Sequence, residues 1–200
     1  MCGNLTWNGE PYDEFFNLYK YTFPEYVQVN MVNPRRDLDG REQADRLHHD
    51  LNRALMLGSV FWLGLDKLPY LKDDTREYLD AALRLRAKLT PMIRGARYVD
   101  MDGAASVPDG LQVGHWVMAD GNDLYIVVNP GRVADGVVVV SSGPGVNADG
   151  GAGGDPRACK HMVVDDFDID GRSGRVRCVP CSGGLRIRLH DAEVVCILTK

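Results

Sequence analysis

Residues 26–65 read YVQVNMV (26–32), NPRRDLDG (33–40), REQADRLHHDLNRALML (41–57), Gly58 and SVFWLGL (59–65). The first seven alternate apolar and polar side chains, which predicts a strand over Tyr26–Val32. Pro34 and Gly40 mark the loop that follows. Ala44, Leu47, Leu51 and Leu55 then recur at spacings of three and four, an amphipathic helix over Arg41–Leu57 that Gly58 can cap. Ser59–Leu65 is a continuous apolar run bounded by Gly58 and Asp66. Such a run is expected to be a strand buried on both faces, as in a parallel sheet.

The pattern extends in both directions. Downstream, Asp74 and Glu77 form a capping-box variant. Behind them Tyr78, Ala81, Leu85, Leu89 and Met92 make the stripe of a second amphipathic helix, which Pro91 should kink or end. Upstream, the acidic and aromatic segment Glu10–Tyr19 reads as a short helix. Strand, helix, buried strand and helix in that order make a βαβα unit. One such unit leaves its parallel edges unpaired and cannot close a sheet.

Beyond residue 100 the chain changes character, with the boundary in Asp100–Pro108. Short strand-like runs rich in Gly and Val replace the helical stripes. Val113–Met118 and Leu124–Val128 flank the turn Ala119–Asp123, a hairpin. Val137–Val140 follows, then the Gly-rich stretch Ser141–Asp155. His161–Ile169, Arg175–Val179, Leu185–His190 and Val194–Leu198 bring the total to about seven strands. In LRIRLH, Leu185, Ile187 and Leu189 point inward and Arg186, Arg188 and His190 outward. The expected fold class is α/β plus all-β: residues 1–103 as a partial (β/α) barrel segment, residues 104–200 as an antiparallel β-sandwich.

Composition narrows the function classes. The chain has 200 residues, 44% hydrophobic and 26% charged, which are ordinary values for a folded chain. A net charge of −5 argues against nucleic acid as a partner, which calls for a basic face. The uncharged runs Ala54–Leu65 and Gly136–Ala148 are too short to span a bilayer, so no membrane partner is expected. MCGNLTWNGEPYDEFF lacks a basic region followed by an apolar core, so the chain as given reads as cytoplasmic. The five cysteines are odd in number and read as reduced thiols.

At this point a family resemblance enters. NLYKYTFPEYVQVNMV, a helix, ALMLGSVFWLGLD, a helix ending LRAKLTPMI, RYVDMDG and a β-region containing DLYIVVNP follow one another in order. That order resembles the C-terminal part of a large (β/α)8-barrel glycoside hydrolase of the α-galactosidase and α-glucosidase type. The resemblance implies the last barrel units followed by a C-terminal β-sandwich, and carbohydrate as the substrate class. It also implies catalytic carboxylates on mid-barrel strands, ahead of this segment. A complete barrel needs about 200 to 250 residues. The expectation is therefore the C-terminal portion of a carbohydrate-active enzyme, inactive alone. Its partner would be the missing barrel half or another copy in a homo-oligomer.

Glycoside hydrolysis takes two carboxylates flanking the scissile bond. Asp66 is a candidate because it follows SVFWLGL at a strand's C-terminal end, where barrel active sites lie. Glu10 is the second, with Asp13, Glu14 and Glu25 behind it; each also reads as a solvated helix or turn carboxylate. Trp62 and Trp7 could stack on a pyranose face, or pack as core and anchor. Asn30 and Asn33, at the end of the first strand, could hydrogen-bond sugar hydroxyls, or cap loops. His48 and His49 could suggest acid–base work, but adjacent helix residues diverge, and both read as solvated surface. No cofactor is implied. A rival reading is zinc: Cys159, His161, Cys178 and Cys181 could offer three thiolates and an imidazole. Its counterpart places Cys178 and Cys196 in core strands and Cys181 in a turn. A non-catalytic binding or structural module is the third class.

Overall fold

The computed structural model describes residues 5–6, 20–32, 40–63, 69–129, 137–141, 163–171, 176–181, 184–189 and 194–199. The helix expected over Glu10–Tyr19 lies outside them; residues 20–22 are helical.

Two long helices follow the expected stripes. Helix α1 (Gly40–Met56) buries Leu47, Leu51 and Leu55. It ends in a Schellman-type cap: Gly58 N–H donates to Leu55 O at 3.1 Å and Ser59 N–H to Ala54 O at 2.8 Å. Gly58 sits at φ +62°, and a Cβ there would meet Ile93 Cδ1 at 2.8 Å and Trp116 Cη2 at 2.9 Å. Glycine is therefore required twice, by conformation and by space. Helix α2 (Asp73–Ile93) buries Leu79, Leu85 and Leu89. It begins one residue before the expected capping box. Its N-cap is Lys72, which makes no side-chain cap bond, and Asp74 Oδ1 instead accepts from its neighbour Thr75 N–H at 2.8 Å. Pro91 does not end the helix at once. The helix runs on to Ile93, where Arg94 N–H caps Thr90 O.

Three short strands, β1 (Leu5–Thr6), β2 (Val29–Val32) and β3 (Val60–Leu63), form a parallel sheet in that order. The first strand expected from the sequence starts at Val29 rather than Tyr26. Tyr26 closes a turn with Phe23 O, and Tyr26 and Val27 are exposed. The apolar run SVFWLGL is not covered on both faces. Phe61 and Leu63 pack against the helix core, whereas Val60 is 44% and Trp62 50% exposed. The reason is position. Among the described residues β3 lies at the sheet's edge, with helices on one face only.

The remaining described strands form two antiparallel sheets. One runs β4 (Arg97–Tyr98), β6 (Gln112–Val117), β7 (Asp123–Val128), β12 (Val194–Thr199), β9 (Val163–Asp168). The other runs β10 (Val176–Cys181), β11 (Gly184–Leu189), β8 (Val137–Ser141), β5 (Ala104–Ser106). β4 and β5 were not legible as strands: Arg97–Tyr98 directly follows a helix end, and β5 lies within the segment read as a boundary. Cys181 ends a strand, opposite Gly184, rather than lying in a turn.

The five-stranded sheet is covered on both faces, through period-two alternation. Leu124, Ile126, Val128, Val194 and Cys196 join the helix residues in one core. Their neighbours Tyr125, Val127, Val195 and Ile197 meet Val138, Leu185 and Ile187 of the other sheet in a second. Each fully buried aliphatic side chain contributes about 1.5–3 kcal/mol. Arg186 and Arg188 point to solvent, as LRIRLH predicts. The helix-to-sheet joint is tight at Gly114. A Cβ there would lie 2.6 Å from Met56 Cγ and 3.1 Å from Met56 O. Beside it Trp116 Nε1–H donates to Met56 O at 3.0 Å, with Tyr98 edge-on to the indole at 5.1 Å. No closed barrel forms among the described residues, and none of their helices is long and apolar enough to cross a membrane.

Candidate functional site

The parallel sheet has two ends and, among the described residues, helices on one face, and the residues singled out from sequence divide among them. β2 and β3 run in register, Asn30 opposite Phe61 and Met31 opposite Trp62. Their C-terminal ends lead into residues 33–39 and 64–68. Trp62 is half-exposed on the face opposite the helices. An exposed indole face can take the apolar face of a ring ligand. Asn30 lies one residue before Met31 on the adjacent strand. Asp66, Glu10, Asp13, Glu14, Asn33 and Trp7 lie outside the described residues, as do Cys159 and His161. Trp62 and Asn30 are thus the two sugar-binding candidates on the described strands.

The opposite end of the sheet carries a groove of about 760 Å³, lined by Lys20, Glu25, Val27, Arg86, Ile93 and Trp116 among others. Glu25 is here, on an exposed turn, away from the strands' C-terminal ends. Lys20 is buried, and its Nζ donates to Pro24 O at 2.8 Å and Tyr26 O at 2.9 Å. The ammonium also lies 5.2 Å from the Trp116 ring centroid, within cation–π reach. Burial lowers its pKa to about 8, while Glu25 opposes the shift. Arg86, on α2, donates from Nε to Ser59 O at 3.0 Å and from Nη2 to Gly58 O at 2.9 Å. Burial lowers its pKa as well. These carbonyls leave the C-terminus of α1, where the helix dipole is negative and a cation is favoured. Both cations therefore serve the backbone: Lys20 closes the turn before β2, and Arg86 ties α1 to α2. The groove lies at the end of the sheet opposite the C-terminal ends of β2 and β3.

A third cluster sits at the five-stranded sheet's other face. His115 stacks on Tyr125 with ring centroids 4.4 Å apart, and its Nε2 lies 2.9 Å from Asp123 Oδ1. Its Nδ1 faces Asp102 O. Burial, together with Asp123 and Asp102, holds the Tyr125 hydroxyl protonated well above its usual range. Next to the pair, Asp100 takes φ +56°, and its carboxylate accepts from Tyr98 Oη–H at 3.0 Å. The arrangement fastens the Tyr98–Gly103 turn onto β6.

His48 and His49 are half-buried rather than solvated. His48 stacks on Tyr78 of α2 at 3.6 Å, and His49 Nδ1 lies 3.6 Å from Asp50 Oδ1. Cys178 is half-buried in β10, its thiol pushed up to about 11 by burial and by Asp166. Cys196 is buried between β7 and β9, and burial raises its pKa far more. Among the described residues no group of three or more His, Cys, Asp or Glu could hold a metal ion.

Sequence reasoning did not single out Lys20, Arg86, His115 or Trp116. Arg86 and Trp116 act through partners distant in the chain, and only the Met56 and Gly58 carbonyls at the end of α1 could have hinted at a need for donors.

No family model matches the chain, and no curated protein sequence does. Its fold is similar to two crystal structures from Bacteroides fragilis NCTC 9343. One, assigned as an alpha-galactosidase/melibiase, matches with a TM-score of 0.52 at 14% identity, over 94% of this chain and 38% of that one. The other, assigned as an alpha-galactosidase, matches with a TM-score of 0.48 at 12% identity, over 94% and 37%. The chain thus spans under two-fifths of the length of either.

Proposed function

We propose that this chain is the C-terminal portion of a glycoside-hydrolase-like enzyme acting on α-galactosides or related sugars, and that it is inactive alone. One observation carries the reading. The fold likeness runs over 94% of this chain but 38% of the alpha-galactosidase/melibiase structure. On this reading residues 1–103 are a partial (β/α) barrel, with β1–β3 its last strands and α1 and α2 on the outer side. Residues 104–200 are a β-sandwich that braces those helices through Trp116 and Gly114.

The chemistry follows from the ends of the strands. Two carboxylates about 5–10 Å apart are needed across the scissile bond. This portion offers Asp66, after β3, as the candidate it can contribute. The exposed Trp62 ring serves as a stacking platform for a pyranose, and the Asn30 and Asn33 amides as hydrogen-bonding groups for its hydroxyls. Glu10 is the second candidate carboxylate and Trp7 a second candidate for stacking on the sugar.

The test compares two samples on an aryl α-galactoside: the 200-residue chain and the polypeptide isolated from its source organism. Hydrolysis by the second alone supports the proposal. Hydrolysis by the first, abolished by Asp66→Asn, removes the claim that this portion is inactive alone. No hydrolysis of any aryl glycoside by either removes the enzyme reading.

A further inference from the structure

We propose that the groove at the N-terminal end of the parallel sheet binds a small phosphate monoester, its dianionic head held by Arg94 and Arg97 and its apolar body laid on Val27 and Ile93. The site lies away from the C-terminal ends of β2 and β3 and is independent of any sugar chemistry there.

Charge selects the ligand. The groove holds about 760 Å³, a volume ordinary for a small-molecule site. Four of its lining side chains are cations, Lys20, Arg86, Arg94 and Arg97, and Glu25 is the lining carboxylate. The C-terminal ends of α1 and α2 also meet there, each equivalent to about half a negative charge. Set against the cations, these leave about two positive charges. A phosphate monoester near neutral pH carries about −1.5 to −2 and matches that excess. A single carboxylate would offset half of it, and a neutral sugar none.

The inner cations are fixed before any ligand arrives. Lys20 Nζ donates to Pro24 O and Tyr26 O. Arg86 donates to Gly58 O and Ser59 O and, from Nη1, to Thr90 Oγ1 at 2.9 Å. Carbonyl and hydroxyl oxygens are neutral, so these bonds orient the cations without cancelling their charge. Burial lowers the Lys20 pKa, Glu25 opposes that and Arg86 adds to it, so the two cations feel each other. Groups held in this way lose little freedom when an anion binds.

The outer cations flank a tight turn. Ala96 N–H donates to Ile93 O at 3.1 Å and Gly95 takes φ +80°, with Arg94 and Arg97 exposed on either side. A Cβ on Gly95 would meet nothing within 4 Å, so the mouth has room for a head group. Guanidinium groups take phosphate oxygens through paired N–H···O bonds. Val27, exposed, and Ile93, half-buried, supply the apolar wall beside them.

Calorimetric titration of the 200-residue chain with phenyl phosphate tests this, with inorganic phosphate and phenol as comparison probes. Phenyl phosphate should bind at least about 10-fold more tightly than either. Arg94→Ala with Arg97→Ala should weaken it at least about 10-fold. Lys72→Ala with Arg84→Ala, exposed cations away from the groove, should change it less than about 2-fold. In the parent chain, amide NMR shifts on titration should centre on Arg94–Arg97 and Val27, a readout that needs no variant to fold. Neither heat nor shifts at about 10 mM phenyl phosphate overturns the proposal. Inorganic phosphate binding as tightly as phenyl phosphate overturns it in favour of an adventitious ion only. Equal weakening by the two variant pairs overturns it in favour of diffuse surface charge. Binding of an acidic, Phe-containing peptide but not of phenyl phosphate overturns it in favour of a protein partner.

Discussion

The five-stranded and three-stranded sheets of this protein contain strands of similar apolar content and have different fates. In DLYIVV of β7 both faces are buried, one under the helices and one under the second sheet. In VFWL of β3 the same density of apolar residues leaves every second side chain exposed. The difference teaches that apolar content sets how much a strand can bury, while its neighbours set how much it does.

The comparison can be broken by mutation. The largest effect is expected at Trp116, which ties the two helices to the sheet. Trp116→Ala should cost about 3–5 kcal/mol, measured by urea unfolding, because it removes a buried indole and the bond to Met56 O. Gly114→Val comes next. Its side chain has no room against Met56, so about 3 kcal/mol is expected, and a cost under about 1 would mean that the joint is loose. Lys20→Met sharpens the comparison through pH. The native pKa of Lys20, about 8, lies below the unfolded value of 10.5. The unfolded chain therefore binds the proton more tightly in that window, and Lys20 makes stability rise from about pH 8 to 10.5. The variant should lose that rise, worth up to about 3 kcal/mol, relative to the parent. Equal slopes in both proteins would mean that the ammonium is not held dry. Gly58→Ala should cost at least about 1 kcal/mol through its left-handed backbone alone. The smallest effect is expected on the open sheet. Val60→Ser and Trp62→Ser should change the stability of the 200-residue chain by no more than about 0.5 kcal/mol. A cost of several kcal/mol would mean that this face is covered, and would erase the contrast between the sheets.

Parts of this outcome were legible in the residues. The stripes of α1 and α2, the cap at Gly58 and the inward side of LRIRLH follow from local rules, and local rules hold wherever a helix or strand meets any apolar surface. The parallel pairing of β2 and β3 also followed, because one helix between two strands leaves little else. Burial of Val60 and Trp62 was misread. An apolar run states a preference for burial, and the partner that would satisfy it is not written in the run. β4 and β5 were missed because strands of two or three residues carry no period. The candidate site was legible only as residue types near strand ends. Asn30 and Trp62 lie on adjacent parallel strands, as expected, whereas Glu25 turned out to sit at the far end of the sheet.

Sequence by itself determined the elements, their order and the side each presents, since those depend on spacing and on backbone stereochemistry within a few residues. Tertiary structure alone decided that one sheet serves two cores, that Arg86 answers the carbonyls of Gly58 and Ser59, and that β3 lies at the edge of its sheet among the described residues. Those are relations between segments as far apart as Met56 and Trp116, and no local energy term contains them.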